Sequence, residues 1–236
     1  MATYVAWGNI QQTYPSIELP AFLQHPKLNA LKTDNPTKHQ RQRCRWVAHF
    51  LLFELIQKTR DFLPAVLPAM QYSATGRPFF PIKNLDFNIS HSGDWVAVAL
   101  TISENAELGI DIEYPKKRHF GDLLAHFANP NEQHWFAQQA NAESAFYRCW
   151  CIREAILKAQ GVGIGKLGDV KHYPEQFILQ SPHCSQGQLL FTREFPFYLA
   201  LFIASSSENS THYFNWNGQL LQPTRLLNAD HYQVNS

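Results

Sequence analysis

The chain has 236 residues, a formal net charge of +1, 45% hydrophobic side chains and 17% charged ones. So much apolar content with so little net charge excludes general disorder, and Lys and Arg spread along the sequence lack the concentrated basic face that nucleic-acid binding uses. No stretch approaches the ~20 apolar residues of a membrane span, and the N-terminus has no basic segment leading into an apolar one, so a soluble, cytoplasmic protein is expected.

Residues 3–8 read as a short first strand, and Gln11 to Lys38, rich in Pro, Asn and His, as irregular. Trp46, Val47, Phe50, Leu51, Phe53 and Leu55 recur near the 3.6 period, which predicts a helix from Gln40 to Lys58 with Arg41, Arg43 and Arg45 crowding its first turn. Prolines at 64, 68, 78 and 81, with Gly76, then break the chain into turns. A hairpin follows, with one strand over Leu85 to Ile89, Ser90-His91-Ser92-Gly93 as its turn and Trp95 to Ile102 as its return. The connection Glu104 to Glu107 leads into a strand, LGIDIEY, and is taken as the boundary between halves at 1–105 and 106–236.

Asp122 to Gln139 is expected to be helical with a break at Asn129-Pro130, and Ala142 to Gln160 to be a helix ended by Gly161, Gly163 and Gly165. QFILQ, GQLLF and PFYLALFIA read as strands. Strand–helix–strand–strand order in both halves predicts an α+β sandwich of two similar lobes. Of the four cysteines, Cys149 and Cys151 lie two apart on a helix and point to different faces, a poor arrangement for a shared metal. Reduced, mostly buried thiols are the expectation.

Four stretches are candidates for chemistry. In a strand, Leu108, Ile110 and Ile112 enter the core while Asp111 and Glu113 share the other face, ~7 Å apart. Two such carboxylates repel when desolvated, and a divalent cation relieves this; hard oxygens suit Mg²⁺. An exposed acidic face on an amphipathic strand has the same pattern. Glu154 and Lys158, at i and i+4, are either a third carboxylate with its partner or a surface pair supporting the helix by ~0.3–0.5 kcal/mol. The segment Asn88 to Asp94 offers hydroxyls and a histidine to a phosphate, and is equally the composition of a polar hairpin. Gly76-Arg77-Pro78 can close backbone onto a ligand or form an ordinary turn.

TGRP at 75–78, NISHSGDWVA at 88–97, LGIDIE at 108–113, FANPNE at 127–132 and WCIREAILKAQG at 150–161 stand in one order along the chain. In these pieces the sequence resembles the 4′-phosphopantetheinyl transferases of the single-chain, two-lobed type, such as the surfactin-synthetase activators and the second holo-[acyl-carrier-protein] synthase of enteric bacteria. The likeness spans roughly Arg41 to Gly165. It implies an α+β fold with pseudo-twofold halves and coenzyme A in the cleft between them. It further implies transfer of 4′-phosphopantetheine to a serine of an apo acyl or peptidyl carrier protein, with release of adenosine 3′,5′-bisphosphate.

By the same resemblance Asp111, Glu113 and Glu154 are the Mg²⁺ ligands, and His91 and Arg45 contact the 3′-phosphate of coenzyme A. Gly76, Arg77, Pro78 and Ser90 line that pocket, and Lys158 touches the transferred phosphate or the leaving nucleotide. Glu154 is the expected general base, directly or through a water. Two positions depart from the family: Arg153 stands where Lys is usual, and His49 where many members carry Arg. Carrier proteins are acidic, so the run Lys116-Lys117-Arg118 is a candidate docking site, although a solvated loop has the same composition. One chain holding both halves of the cleft is expected to act as a monomer. The rivals are a magnesium-dependent hydrolase of nucleotide pyrophosphates and a non-catalytic binder of coenzyme A or carrier proteins. A hydrolase needs only water to release adenosine 3′,5′-bisphosphate, whereas a binder has no use for the carboxylate set.

Overall fold

Strand β1 (Ala2–Asn9) opens the chain with Val5, Ala6 and Trp7 all buried, as befits a strand covered on both faces. The computed structural model describes residues 2–24, 35–59, 67–104, 106–204 and 210–236; the readings made above for residues 25–34, Pro64 and Asn105 lie outside these. Helix α1 (Pro36–Lys58) begins one turn before the start predicted from periodicity. Asn35 caps it by accepting from the Lys38 N–H, and Pro36 takes the first helical position, where a missing N–H does no harm. Arg41, Arg43 and Arg45 therefore lie in the second and third turns rather than the first.

A short hairpin, β2 (Gln71–Tyr72) with β3 (Pro78–Phe79), precedes the long one formed by β4 (Leu85–Ser92) and β5 (Trp95–Ile102). The long hairpin corrects the predicted turn: β4 runs on through Ser92, paired with Trp95, and Gly93-Asp94 alone makes the connection. Gly93 has φ of 58°, the sign a two-residue hairpin turn requires at its first position.

After β6 (Leu108–Glu113) come α2 (Phe120–Ala125), α3 (Pro130–Ala137) and α4 (Ala142–Ala159), with Asn129 and Asn141 capping the last two. The rest is β7 (Lys171–Tyr173), β8 (Ile178–Gln180), β9 (Gly187–Thr192), β10 (Tyr198–Ile203), β11 (Ser210–Trp216), β12 (Leu221–Thr224) and β13 (Asp230–Val234).

The strands form two main sheets, ordered β12-β11-β1-β5-β4 and β6-β10-β9-β13-β8-β7. Phe50, Leu51 and Leu55 of α1 pack on the first sheet, and Phe146, Ile152 and Ile156 of α4 on the second. Between the sheets lies a third apolar layer, with Val5, Ala97 and Ala99 meeting Ile110, Ile112 and Leu199. The molecule is thus an α+β arrangement layered helix, sheet, sheet, helix. A division of the chain at residue 105 leaves β11 and β12 on the wrong side, because both pair into the first sheet beside β1. No helix among the described residues is long and apolar enough to cross a membrane.

Candidate active site

β6 is an edge strand, and it is sealed by side chains rather than by another strand. Along β4 every second residue is short and polar: Asp86, Asn88, Ser90, Ser92. The Leu108 N–H donates to Asp86 Oδ2 at 2.9 Å, the Ile110 N–H to Asn88 Oδ1 at 3.3 Å and the Ile112 N–H to Ser90 Oγ at 3.1 Å. Left unpaired at this depth, each N–H would cost about 1–3 kcal/mol. Ala97 and Ala99 on β5 are small enough to let β6 approach. Asp86, Asn88 and Ser90 are buried, so of the two readings open for the segment from Asn88 the solvated polar hairpin does not hold at this end of it.

The same side chains reach the acidic residues. Ser90 Oγ donates to Asp111 Oδ1 at 2.9 Å, and Ser92 Oγ donates to Glu113 Oε2 at 2.8 Å. Asp111 is 5% exposed, so the exposed acidic face that its pattern also allowed is excluded. α4 lies against this face of β6, and the contact is close because residue 109 is glycine: a Cβ there would fall 1.8 Å from the Ala155 carbonyl oxygen. From α4, Lys158 Nζ sits 3.2 Å from Asp111 Oδ1.

The carboxylates feel one another. Burial, followed by the charges of Asp111 and Glu113 and opposed by Lys158, pushes Glu154 up to about 7. Burial, opposed by Lys158 and reinforced by Glu113, pushes Asp111 up to about 6. Asp111 Oδ2 is buried with no conventional hydrogen-bond partner. A desolvated acceptor left bare in a field of three carboxylates and one ammonium is what a hard divalent cation satisfies, and the donor set fits Mg²⁺.

Beside the acidic cluster, α1, the short hairpin and β4 enclose a cavity of ≈ 790 Å³, a volume usual for small-molecule sites. Arg41, Arg45 and His49 line it from one stripe of α1 at successive i+4 spacings, and Tyr72, Gly76, Pro78 and His91 complete its polar and backbone walls. His91 reaches solvent, yet partial desolvation, then the charges of Lys158, Arg41 and Arg45, push its ring below the ordinary histidine range. The site is therefore cationic at the cavity and anionic at β6, with Lys158 in the electrostatic field of both.

Of the residues singled out from the sequence, Arg45, Gly76, Pro78 and His91 line the cavity, whereas Arg77 and Ser90 do not. Arg77 turns away from it: its guanidinium pairs with Asp86 at 2.7 Å and donates to the Lys158 carbonyl at 3.1 Å. Ser90 is engaged by β6, as described. Coenzyme A was expected in a cleft between the halves, yet the cavity walls come from the first half, with the second half supplying Lys158 and Glu154 nearby. Arg41 and Tyr72 carry no site role in the sequence reading, and Asn88 and Ser92, which lie in the segment read as offering hydroxyls to a phosphate, meet β6 instead; the period-2 run of oxygen-bearing side chains along β4 is the available signal for that.

Arg153 leaves α4 on a different face from Glu154. It is fully buried and holds both oxygens of Glu132, with Nη1 at 2.8 Å from Oε1 and Nη2 at 2.5 Å from Oε2. His172 Nδ1 is 2.7 Å from Glu132 Oε1, and its Nε2 is 3.1 Å from the Tyr232 hydroxyl. Glu132, Cys149 and His172 are, among the described residues, the group whose ligand atoms come within 4.8 Å of one another. Asp111, Glu113 and Glu154 are spaced more widely than that. Arg153 already claims both Glu132 oxygens, which makes this buried group an ion pair as it stands. Cys44, Cys149 and Cys151 are buried free thiols, and Cys184 is half-buried. Lys116, Lys117 and Arg118 are exposed; the backbone of Lys116 is held by the Tyr147 hydroxyl, which accepts from its N–H at 2.9 Å.

Comparison with known proteins agrees with this geometry. The profile of the 4′-phosphopantetheinyl transferase superfamily matches residues 107–211, which include β6 and α4. A Haemophilus influenzae protein named "Putative 4′-phosphopantetheinyl transferase" is 46% identical over 237 residues, covering 100% of both chains. The 4′-phosphopantetheinyl transferase AcpT of Salmonella typhi is 35% identical over 51% of this chain and 60% of its own. The 4′-phosphopantetheinyl transferase psf-1 of Bacillus pumilus is 34% identical over 43% of each. A full-length relative at this identity, joined to the superfamily match across the acidic strand and helix, leaves one conclusion: the chain belongs to the 4′-phosphopantetheinyl transferase superfamily.

Proposed function

We propose that this protein transfers 4′-phosphopantetheine from coenzyme A to a serine hydroxyl of an apo carrier protein, releasing adenosine 3′,5′-bisphosphate. The observation that carries the reading is a cationic, nucleotide-sized cavity beside the buried Asp111 and the half-buried Glu113 and Glu154, with Lys158 bonded to Asp111 and in the field of His91. Arg45 and His91, with Arg41 on the same wall, suit a terminal phosphate, and Gly76 and Pro78 present backbone to a nucleoside.

Asp111, Glu113 and Glu154 would hold magnesium, as the bare Asp111 Oδ2 supports. Bound magnesium supplies charge neutralisation at the phosphoryl oxygens and on the leaving group. Lys158 stabilises or protonates the departing phosphate. Glu154 would take the serine proton, directly or through a water; its raised proton affinity belongs to the metal-free site, and bound magnesium would lower it, keeping the carboxylate ionised as a base must be. The incoming serine belongs to the carrier, so the chain needs no nucleophile of its own.

Apo carriers of several kinds incubated with coenzyme A and magnesium are expected to gain the phosphopantetheine mass in a mass spectrum. Glu154→Gln is expected to fold normally and to lower turnover by ~10²-fold or more, the lower bound for losing a positioned base. Wild-type turnover in that variant would remove Glu154 from the role. Adenosine 3′,5′-bisphosphate released without any carrier would make the protein a hydrolase instead.

A further inference from the structure

Resting on that reading, we infer that Ser92 is a positioning residue for the metal site, acting through Glu113. The serine lies at the last position of β4, where the strand stops and Gly93 turns the chain. Its hydroxyl donates to Glu113 Oε2 at 2.8 Å, and Glu113 is the last residue of β6. A glutamate at a strand end has free torsions, and one fixed donor selects a rotamer for it. Ser90, one ladder step earlier, does the same for Asp111 through Oδ1 and leaves Oδ2 bare.

The two serines differ in a way that isolates the effect. Ser90 also accepts from the Ile112 N–H, so removing it opens the seam between β4 and β6. The Ser92 hydroxyl bonds to the Glu113 side chain rather than to the β6 backbone, and the residue is only half-buried. Changing Ser92 therefore tests the orientation of the carboxylate with little disturbance of the fold. A hydroxyl donor also leaves the second Glu113 oxygen for a cation, as outer-shell partners of metal-binding carboxylates do.

The experiment is a titration of the full-length protein with Mn²⁺, followed by the EPR signal of the free ion, without coenzyme A or carrier. Ser92→Ala is expected to weaken Mn²⁺ binding roughly tenfold, within the usual range for loss of an outer-shell partner. Ser92→Thr, which keeps the hydroxyl, is expected to restore it. Should Ser92→Ala fail to fold, Ser92→Cys keeps the shape with a weak donor and carries the same expectation. Equal Mn²⁺ affinity in wild type and the donor-free variant overturns the positioning role while leaving the metal reading intact. If wild type binds no Mn²⁺ at all, the metal reading itself fails and takes the inference with it.

Discussion

His172 is the clearest residue whose charge state the fold dictates. It is fully buried, and burial, opposed by its hydrogen bond to Glu132, pushes it down to about 4. A neutral ring donates from Nδ1 to Glu132 and accepts at Nε2 from Tyr232, whose hydroxyl oxygen in turn accepts from Arg148 Nε. The folded protein thus refuses a proton that the unfolded chain binds below its ordinary value of 6.5. As pH falls from 6.5 toward 4, stability is lost through this residue, by at most about 1.4 kcal/mol per pH unit. Asp111 and Glu154 pull the other way. Their raised folded values mean the native state holds protons the unfolded chain releases, so their contribution is lost as pH rises through the same window. The readout is therefore a difference. In urea melts at pH 7 and pH 5, the destabilisation caused by His172→Gln is expected to shrink on acidification; parallel pH profiles for wild type and variant would refute a neutral buried His172. From sequence, Arg153 and His172 carried no label of this kind. Arg153 sits beside Glu154 in the chain, but adjacent helical residues point about 100° apart, and only the tertiary partners tell which faces the reaction.

At the scale of elements, the site depends on how near α4 comes to β6. The helix ends with the Gly161 N–H bonded to the Lys158 carbonyl at 3.1 Å and the Val162 N–H to the Leu157 carbonyl at 2.8 Å, a glycine C-cap with φ of 67°. Arg77 and Asn88 also donate to the Lys158 carbonyl, so the final turn carrying Lys158 is pinned to β4. At the other contact Gly109 leaves no room for a side chain, since its would-be Cβ meets backbone rather than a movable side chain. Gly109→Ala is expected to push α4 outward at a cost near the upper end for overpacking, about 3 kcal/mol, or roughly 6–12 °C in Tm. Mn²⁺ affinity should fall with it, because Glu154 retreats from Asp111. An unshifted Tm would show that the helix does not bear on the strand there. The elements themselves were largely readable: Asn-Pro pairs mark the starts of α3 and, overlooked above, of α1, and glycine marks the end of α4. The polar face of β4 was not. Alternation in a strand says that two faces differ, and nothing local says that the polar one meets the edge of another strand instead of water.

The whole molecule is bound together by its C-terminal third returning to both sheets. β11 lies parallel to β1, with Ala2 opposite Ser210 and Trp7 opposite Asn215, a pairing across some two hundred residues that no local pattern announces. Hence the boundary drawn at 105 misjudged which strands the first sheet needs. Trp216 and Leu221 fill the core under α1, and the Trp216 Nε1–H donates to the Thr13 carbonyl at 2.9 Å. β13, from the last residues of the chain, lies inside the second sheet between β9 and β8. If the chain is cut at 105, the first sheet loses β11, β12 and the Trp216 side chain from its core, while the second sheet keeps all of its strands and loses only the apolar layer shared with the first. A fragment of residues 1–105 would expose one side of β1 along its full hydrogen-bonding edge and leave the Trp216 space empty, and losing one large aromatic core side chain alone typically costs 3–5 kcal/mol. The fragment is expected to give a collapsed amide spectrum by NMR, whereas the intact chain unfolds in one calorimetric transition whose enthalpy equals its van't Hoff value. A dispersed spectrum from the fragment, or two separate transitions in the intact protein, would mean that the central apolar layer and the returning strands do not couple the two sheets. Coupling of this kind is what the site requires, since the cavity belongs to one sheet and the carboxylates to the other, and their separation is set only where the two are locked together.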